Sequence, residues 1–95
     1  MSSREDYIKK VKARIDQWNA EIDKMKAQVD EAEADAKIEA RKQLDEARAQ
    51  RDDAEARLKE LREAGDSAWD DVKSGFDKAW DSISDAFESA MSRFR

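Results

Sequence analysis

Residues 7–29 carry the most regular apolar pattern of the chain and decide its fold; they read YIKKVKARIDQWNAEIDKMKAQV. Large apolar side chains recur there at alternating spacings of three and four residues. This spacing places them on one face of an α-helix, and it is the heptad pattern of a coiled coil. We call this set the N-terminal seam; its members are Ile8, Val11, Ile15, Trp18, Ile22, Met25 and Val29.

The helical pattern extends far beyond this seam. Strong helix formers fill residues 4–64, and neither proline nor glycine interrupts them. From Ala32 the spacing changes to steps of four, which indicates a stutter in the coiled coil, and alanine lines most of the face that follows. We therefore predict one helix over about 4–64, which would be roughly 90 Å long.

The first stop signal is the turn sequence Gly65, Asp66 and Ser67. Glycine can adopt the left-handed conformation that ends a helix, and Ser67 with an acid three residues later is typical of a new helix start. We predict a second helix over about 67–93. One unbroken helix through Gly65 remains the alternative, because an isolated glycine costs a helix only about 1 kcal/mol.

The second predicted helix repeats its pattern every 11 residues, as AWDDVKSGFDK over 68–78 and AWDSISDAFES over 79–89. An 11-residue repeat keeps an apolar face nearly straight along a helix. Its acidic flanks favour packing inside a helical bundle, and reversible binding to a lipid surface is the alternative. We call this set the aromatic face; its members are Trp69, Val72, Phe76, Trp80, Ile83, Phe87, Met91 and Phe94.

Composition argues against several classes of function. The chain has no cysteine and no histidine, so disulfides, thiolate nucleophiles and imidazole chemistry are absent. Its net charge is −5 and no basic stripe is present, which argues against nucleic acid as a partner. Carboxylate pairs are expected on solvated helix faces. We therefore assign no catalytic, cofactor-binding or metal-binding residue and predict that the chain is not an enzyme.

The predicted location is the cytoplasm. The first six residues, MSSRED, lack the apolar segment of a signal peptide. No stretch approaches the roughly 18 consecutive apolar residues of a membrane-spanning helix.

Two segments carry a resemblance to a known family. They are YIKKVKARIDQWNAEIDK at 7–24 and AWDDVKSG at 68–75, the latter followed by a second Ala-Trp pair at 79–80. Together they resemble a family of short bacterial coiled-coil proteins labelled stress-response proteins after a cyanobacterial member. The resemblance implies a helical protein linked to stress, and it implies no catalytic residue.

These observations combine into an all-α prediction, in which the long helix and the shorter C-terminal helix form a helical hairpin. The hairpin would leave the N-terminal seam exposed, so we expect a second copy to cover it in a homo-oligomer, with an antiparallel dimer favoured. The expected function is that of a non-enzymatic, oligomeric coiled-coil structural or interaction protein. The alternative is a lipid- or interface-binding protein that acts through residues 68–94.

Overall fold

The computed structural model describes residues 3–93 and confirms the predicted all-α class. Within residues 3–93, three helices follow one another: α1 (Ser3–Glu31), α2 (Ala34–Glu63) and α3 (Trp69–Ser92). They run up, down and up in a bundle that measures 52 × 20 × 18 Å. The backbone of α2 packs against both other helices, whereas α1 and α3 contact each other through large side chains.

The prediction of a single helix over residues 4–64 is wrong. The chain leaves the helix after Glu31 and resumes it at Ala34. An unbroken helix would be about 90 Å long, whereas the longest dimension of the bundle is 52 Å. Bending costs a few helical hydrogen bonds at about 0.5–1.5 kcal/mol each. Burying one large apolar side chain contributes about 1.5–3 kcal/mol, so packing of the N-terminal seam decides the outcome.

The α1–α2 junction consists of Ala32 and Glu33. The backbone N–H of Ala32 donates to the Val29 carbonyl oxygen at 3.1 Å, and the N–H of Lys37 donates to the Glu33 carbonyl oxygen at 2.7 Å. Glu33 is extended, with φ −72° and ψ 162°, and its side chain does not cap α2. The bend therefore comes from the packing of the helices, because the local sequence supplies neither a breaker nor a cap.

The α2–α3 connection occupies residues 64–68 and includes the predicted turn, but two details of the prediction are wrong. Gly65 does not adopt a positive φ. Ala68 precedes α3 at the cap position in place of Ser67 and makes no side-chain cap hydrogen bond, and the helix begins at Trp69. The chain leaves α2 through Ala64 in an extended conformation, with φ −65° and ψ 132°.

Arg4 of α1 explains why this connection needs no left-handed glycine. Its guanidinium donates to the carbonyl oxygens of Leu61 and Ala64 at the end of α2. It also pairs with Asp66 at 3.3 Å and lies 4.7 Å from the ring centroid of Trp69. A cation from a neighbouring helix thus satisfies carbonyls that a C-terminal glycine motif often satisfies, and it complements the negative end of the α2 dipole.

The core runs the length of the bundle, and all three helices contribute to it. From the N-terminal seam, Ile8 is half-buried and the other six members are buried. From the aromatic face, Trp69, Val72 and Trp80 are half-buried, and Phe94 lies outside the described residues. The buried hydrophobic residues are Val11, Ile15, Trp18, Ile22, Met25, Val29, Leu44, Ala47, Ala54, Leu58, Leu61, Phe76, Ile83, Phe87, Ala90 and Met91.

Candidate interaction surfaces

A stack of aromatic rings joins α1 to α3. Trp18 is only 3% exposed. Its ring centroid lies 4.9 Å from that of Trp80, with 2° between the ring planes. It lies 4.3 Å from the ring centroid of Phe87, with 9° between the planes. Phe76 extends the stack to Trp80 at 5.5 Å. The N-terminal seam and the aromatic face therefore cover each other within one chain. The expectation that the seam stays exposed unless a second copy covers it is wrong.

A second aromatic cluster surrounds Tyr7 near the start of α1. Its ring meets Trp69 and Phe76 edge-on, each at 6.0 Å between centroids. Its hydroxyl donates a hydrogen bond to the Asp77 carboxylate. Lys73 pairs with that carboxylate at 3.2 Å, and its Nζ lies 4.6 Å from the centroid of the Tyr7 ring. This cluster fixes the first two turns of α1 against α3.

Two pKa values move in opposite directions in this cluster. Burial raises the pKa of Tyr7, and the hydrogen bond to Asp77 raises it further because ionisation would place two negative charges side by side. The hydrogen bond from the Tyr7 hydroxyl lowers the pKa of Asp77; burial opposes this effect, and Lys73 lowers the pKa further. The hydrogen bond between Tyr7 and Asp77 is therefore most stable at intermediate pH, where Tyr7 is neutral and Asp77 is ionised.

An open groove of about 500 Å³ lies between α1 and α3. Buried Val11 and Phe76 contribute apolar surface to it. The guanidinium of Arg14 reaches across it to lie 6.0 Å from the centroid of a Trp80 ring. An apolar surface with cations at its edge is chemically suited to amphipathic anions. The lining residues are Asp6, Tyr7, Lys10, Val11, Arg14, Phe76 and Trp80.

A second groove, of about 680 Å³, lies near the end of α3 and includes Ala36, Ala40 and Arg93 in its lining. Gln43 also lines it and is only 2% exposed. Its Nε2 donates to Glu39 at 3.1 Å, and its buried Oε1 has no hydrogen-bond partner among residues 3–93. Ile38, although 76% exposed, lies about 200° around the helix from Ala36 and so faces away from this groove.

A polar pair interrupts the apolar contact between α1 and α2. Arg51 donates from Nη1 to the Oδ1 of Asn19 at 2.6 Å, and its Nε pairs with Asp52 at 2.8 Å and Glu55 at 3.4 Å. The sequence shows Arg51 as a polar residue at an apolar position of the repeat. It gives no signal that Asn19 is the partner. Such a pair favours one alignment of the two helices, because any shift would leave part-buried polar groups unpaired.

Charged side chains otherwise form pairs along the helix surfaces, such as Lys12 with Asp16 at 3.1 Å and Arg57 with Asp53 at 3.4 Å. Within residues 3–93, no three acidic side chains come together in a way that could hold a metal ion. In the same range, no helix combines the length and apolar character that crossing a membrane requires.

Comparisons of the chain with protein-family models, with curated proteins and with solved structures found no match.

Proposed function

We propose that this chain is a non-enzymatic structural or interaction protein that works as an assembly of identical chains. The observation that carries the proposal is the aromatic stack, in which Trp18 is enclosed between Trp80 and Phe87. Aromatic side chains give the largest contact energies available to a protein surface or pocket. Here they are used to hold one helix against a two-helix hairpin.

Helix-on-hairpin packing of this kind supports self-association. The N-terminal seam has coiled-coil spacing, and heptad seams are surfaces that recognise other helices. The hairpin formed by α2 and α3 carries the matching apolar surface, which α1 of the same chain covers in the structure. A second copy of the chain carries both complementary surfaces, so an antiparallel homodimer is the favoured assembly.

Molar mass in solution tests this proposal. Light scattering coupled to gel filtration is expected to show a mass above the 10.9 kDa of one chain as the protein concentration rises through the micromolar range. Ile15→Pro should abolish the association, because it removes a buried seam side chain and breaks α1. Ile38→Ala, at an exposed position, is the control and should leave the mass unchanged. A mass of one chain at every concentration contradicts the proposal.

The stress link comes from the resemblance of residues 7–24 and 68–75 to the stress-response family. It predicts that the protein accumulates when the source cells are stressed. Quantitative proteomics of stressed and unstressed cells measures this directly, and equal abundance under heat, osmotic and oxidative stress contradicts the link.

The groove between α1 and α3 favours lipid or interface binding as the second candidate function. It presents Trp80 beside Lys10 and Arg14, so an anionic amphiphile would find both apolar and cationic contacts there. Four members of the aromatic face are buried and three are half-buried, so binding through the whole of residues 68–94 requires α1 to move away. Co-flotation with neutral or anionic vesicles, together with a blue shift of tryptophan fluorescence, is the expected result. Neither signal with either vesicle contradicts this candidate.

A further inference from the structure

We infer that two copies of this chain exchange α1. In the exchanged dimer, α1 of each copy packs on the α2–α3 hairpin of the other, and residues 32–33 become helical so that α1 and α2 form one continuous helix. This inference rests on the proposed self-association and specifies its form. The partner is a second copy, and the surface it occupies is the one that α1 occupies in the single chain.

The sequence of the junction favours the continuous helix. Residues 30–36 read DEAEADA, without glycine or proline. Alanine and glutamate are strong helix formers, and only the aspartates are weaker. Glu33, at the cap position of α2, makes no side-chain cap hydrogen bond. The bend thus occurs where the local sequence prefers to continue a helix, so the straight form is locally more favourable than the bent one.

Negative charge at the end of α1 opposes the bend. Asp30 and Glu31 lie in its last turn, and that turn contains no basic residue. Negative charge is unfavourable at a helix C-terminus, where the dipole is also negative. In the continuous helix these acids lie in the interior of a helix, away from either end, and this gain is offset in part because Asp35 leaves the favourable first turn of α2. The carbonyl groups that the bend leaves without helical partners regain them as well.

The contacts of α1 do not depend on which copy of the chain supplies it. Trp18 stacks on the hairpin residues Trp80 and Phe87, and Asn19 accepts a hydrogen bond from Arg51. Arg4 donates a hydrogen bond to the Ala64 carbonyl oxygen at the C-terminal end of α2. Each contact forms equally well between chains. The exchanged dimer therefore keeps the bundle contacts and gains helical structure at two junctions.

The balance between the two forms depends on concentration. Association has an entropic cost that the closed single chain avoids, so dilute protein favours the closed bundle. Higher concentration favours the dimer by mass action. The two-residue junction is the element that decides between them, since it is bent in one form and helical in the other.

Crosslinking distinguishes exchange from other kinds of association. The chain has no cysteine of its own, so Arg4→Cys and Asp66→Cys can be combined and joined by a short bismaleimide. These positions are neighbours in the bundle. Crosslinks between chains in a sample whose native mass is that of two chains support exchange. Crosslinks within one chain at that same mass overturn exchange and leave the proposed function standing. A native mass of one chain throughout overturns both.

Substitution of Glu33 gives a second test with a matched control. Its φ of −72° suits proline, and its N–H donates neither of the two junction hydrogen bonds. Glu33→Pro therefore fits the closed chain. In the exchanged dimer, Glu33→Pro would place one proline in the interior of each of the two continuous helices. The two prolines together raise the dissociation constant by about 10⁴-fold. Glu33→Ala should still dimerise. Equal dimerisation of the two variants, or a failure of both to dimerise, overturns the inference.

Discussion

Replacing Trp18 by alanine removes the ring on which the contact between α1 and α3 depends. The side chain is 3% exposed, so the substitution leaves a space between Trp80 and Phe87. Truncation of a buried tryptophan removes roughly 150–200 Å² of apolar contact, worth about 4–5 kcal/mol at 25 cal/mol per Å². Measured large-to-small substitutions of this kind cost about 3–5 kcal/mol. A domain of this length has a total stability of about 5–14 kcal/mol.

Urea denaturation followed by circular dichroism at fixed protein concentration measures this loss. We expect the free energy of unfolding to fall by about 3–5 kcal/mol and the melting temperature to fall by at least 12 °C, at about 4 °C or more per kcal/mol. Ile38→Ala removes an exposed side chain and should change stability by less than about 0.5 kcal/mol. A loss below about 1 kcal/mol for Trp18→Ala would refute the aromatic stack as the main contact between α1 and α3.

Three further predictions concern single residues. Gly75→Ala should stabilise the protein by about 0.5–1 kcal/mol, because Gly75 is inside α3 and a methyl group there meets no atom within 4 Å; a destabilised variant in urea denaturation contradicts this. Arg4→Ala should destabilise by about 1–3 kcal/mol, since the α2 carbonyls lose a charged donor; hydrogen exchange should rise at residues 64–68, and unchanged exchange there contradicts the capping role. Tyr7→Phe should raise the pKa of Asp77 towards its ordinary value of 3.8, as carboxyl NMR titration would show, and an unchanged pKa contradicts the hydrogen bond as its cause. In the wild type, the lowered pKa of Asp77 stabilises the fold above about pH 4, and this contribution is lost as the pH falls further. The raised pKa of Tyr7 stabilises the fold up to about pH 10, and this contribution is lost as the pH rises further.

Helical periodicity identifies most of the core but not the path of the chain. The three- and four-residue spacing of the N-terminal seam and the 11-residue repeat of the aromatic face both correspond to buried surfaces. These patterns are local, and a helix face shows the same spacing whichever surface covers it. The sequence therefore indicates which faces are buried, while the identity of the covering helix depends on tertiary packing.

The break after Glu31 illustrates this limit. Neither glycine nor proline marks it, and residues on both sides are helix formers. The signals that coincide with it are the change of spacing at Ala32 and the start of an alanine-rich face that buries little area. The pairing of Asn19 with Arg51 and the capping of α2 by Arg4 depend on residues 32 and 60 positions apart. Single-sequence patterns do not reveal such contacts.

The most direct test of the account is native mass spectrometry of an equimolar mixture of ¹⁴N- and ¹⁵N-labelled chains. If α1 is exchanged between copies, mixed dimers appear after incubation at high concentration, and Glu33→Pro prevents their formation. Spectra that contain only single chains at every concentration would contradict the account.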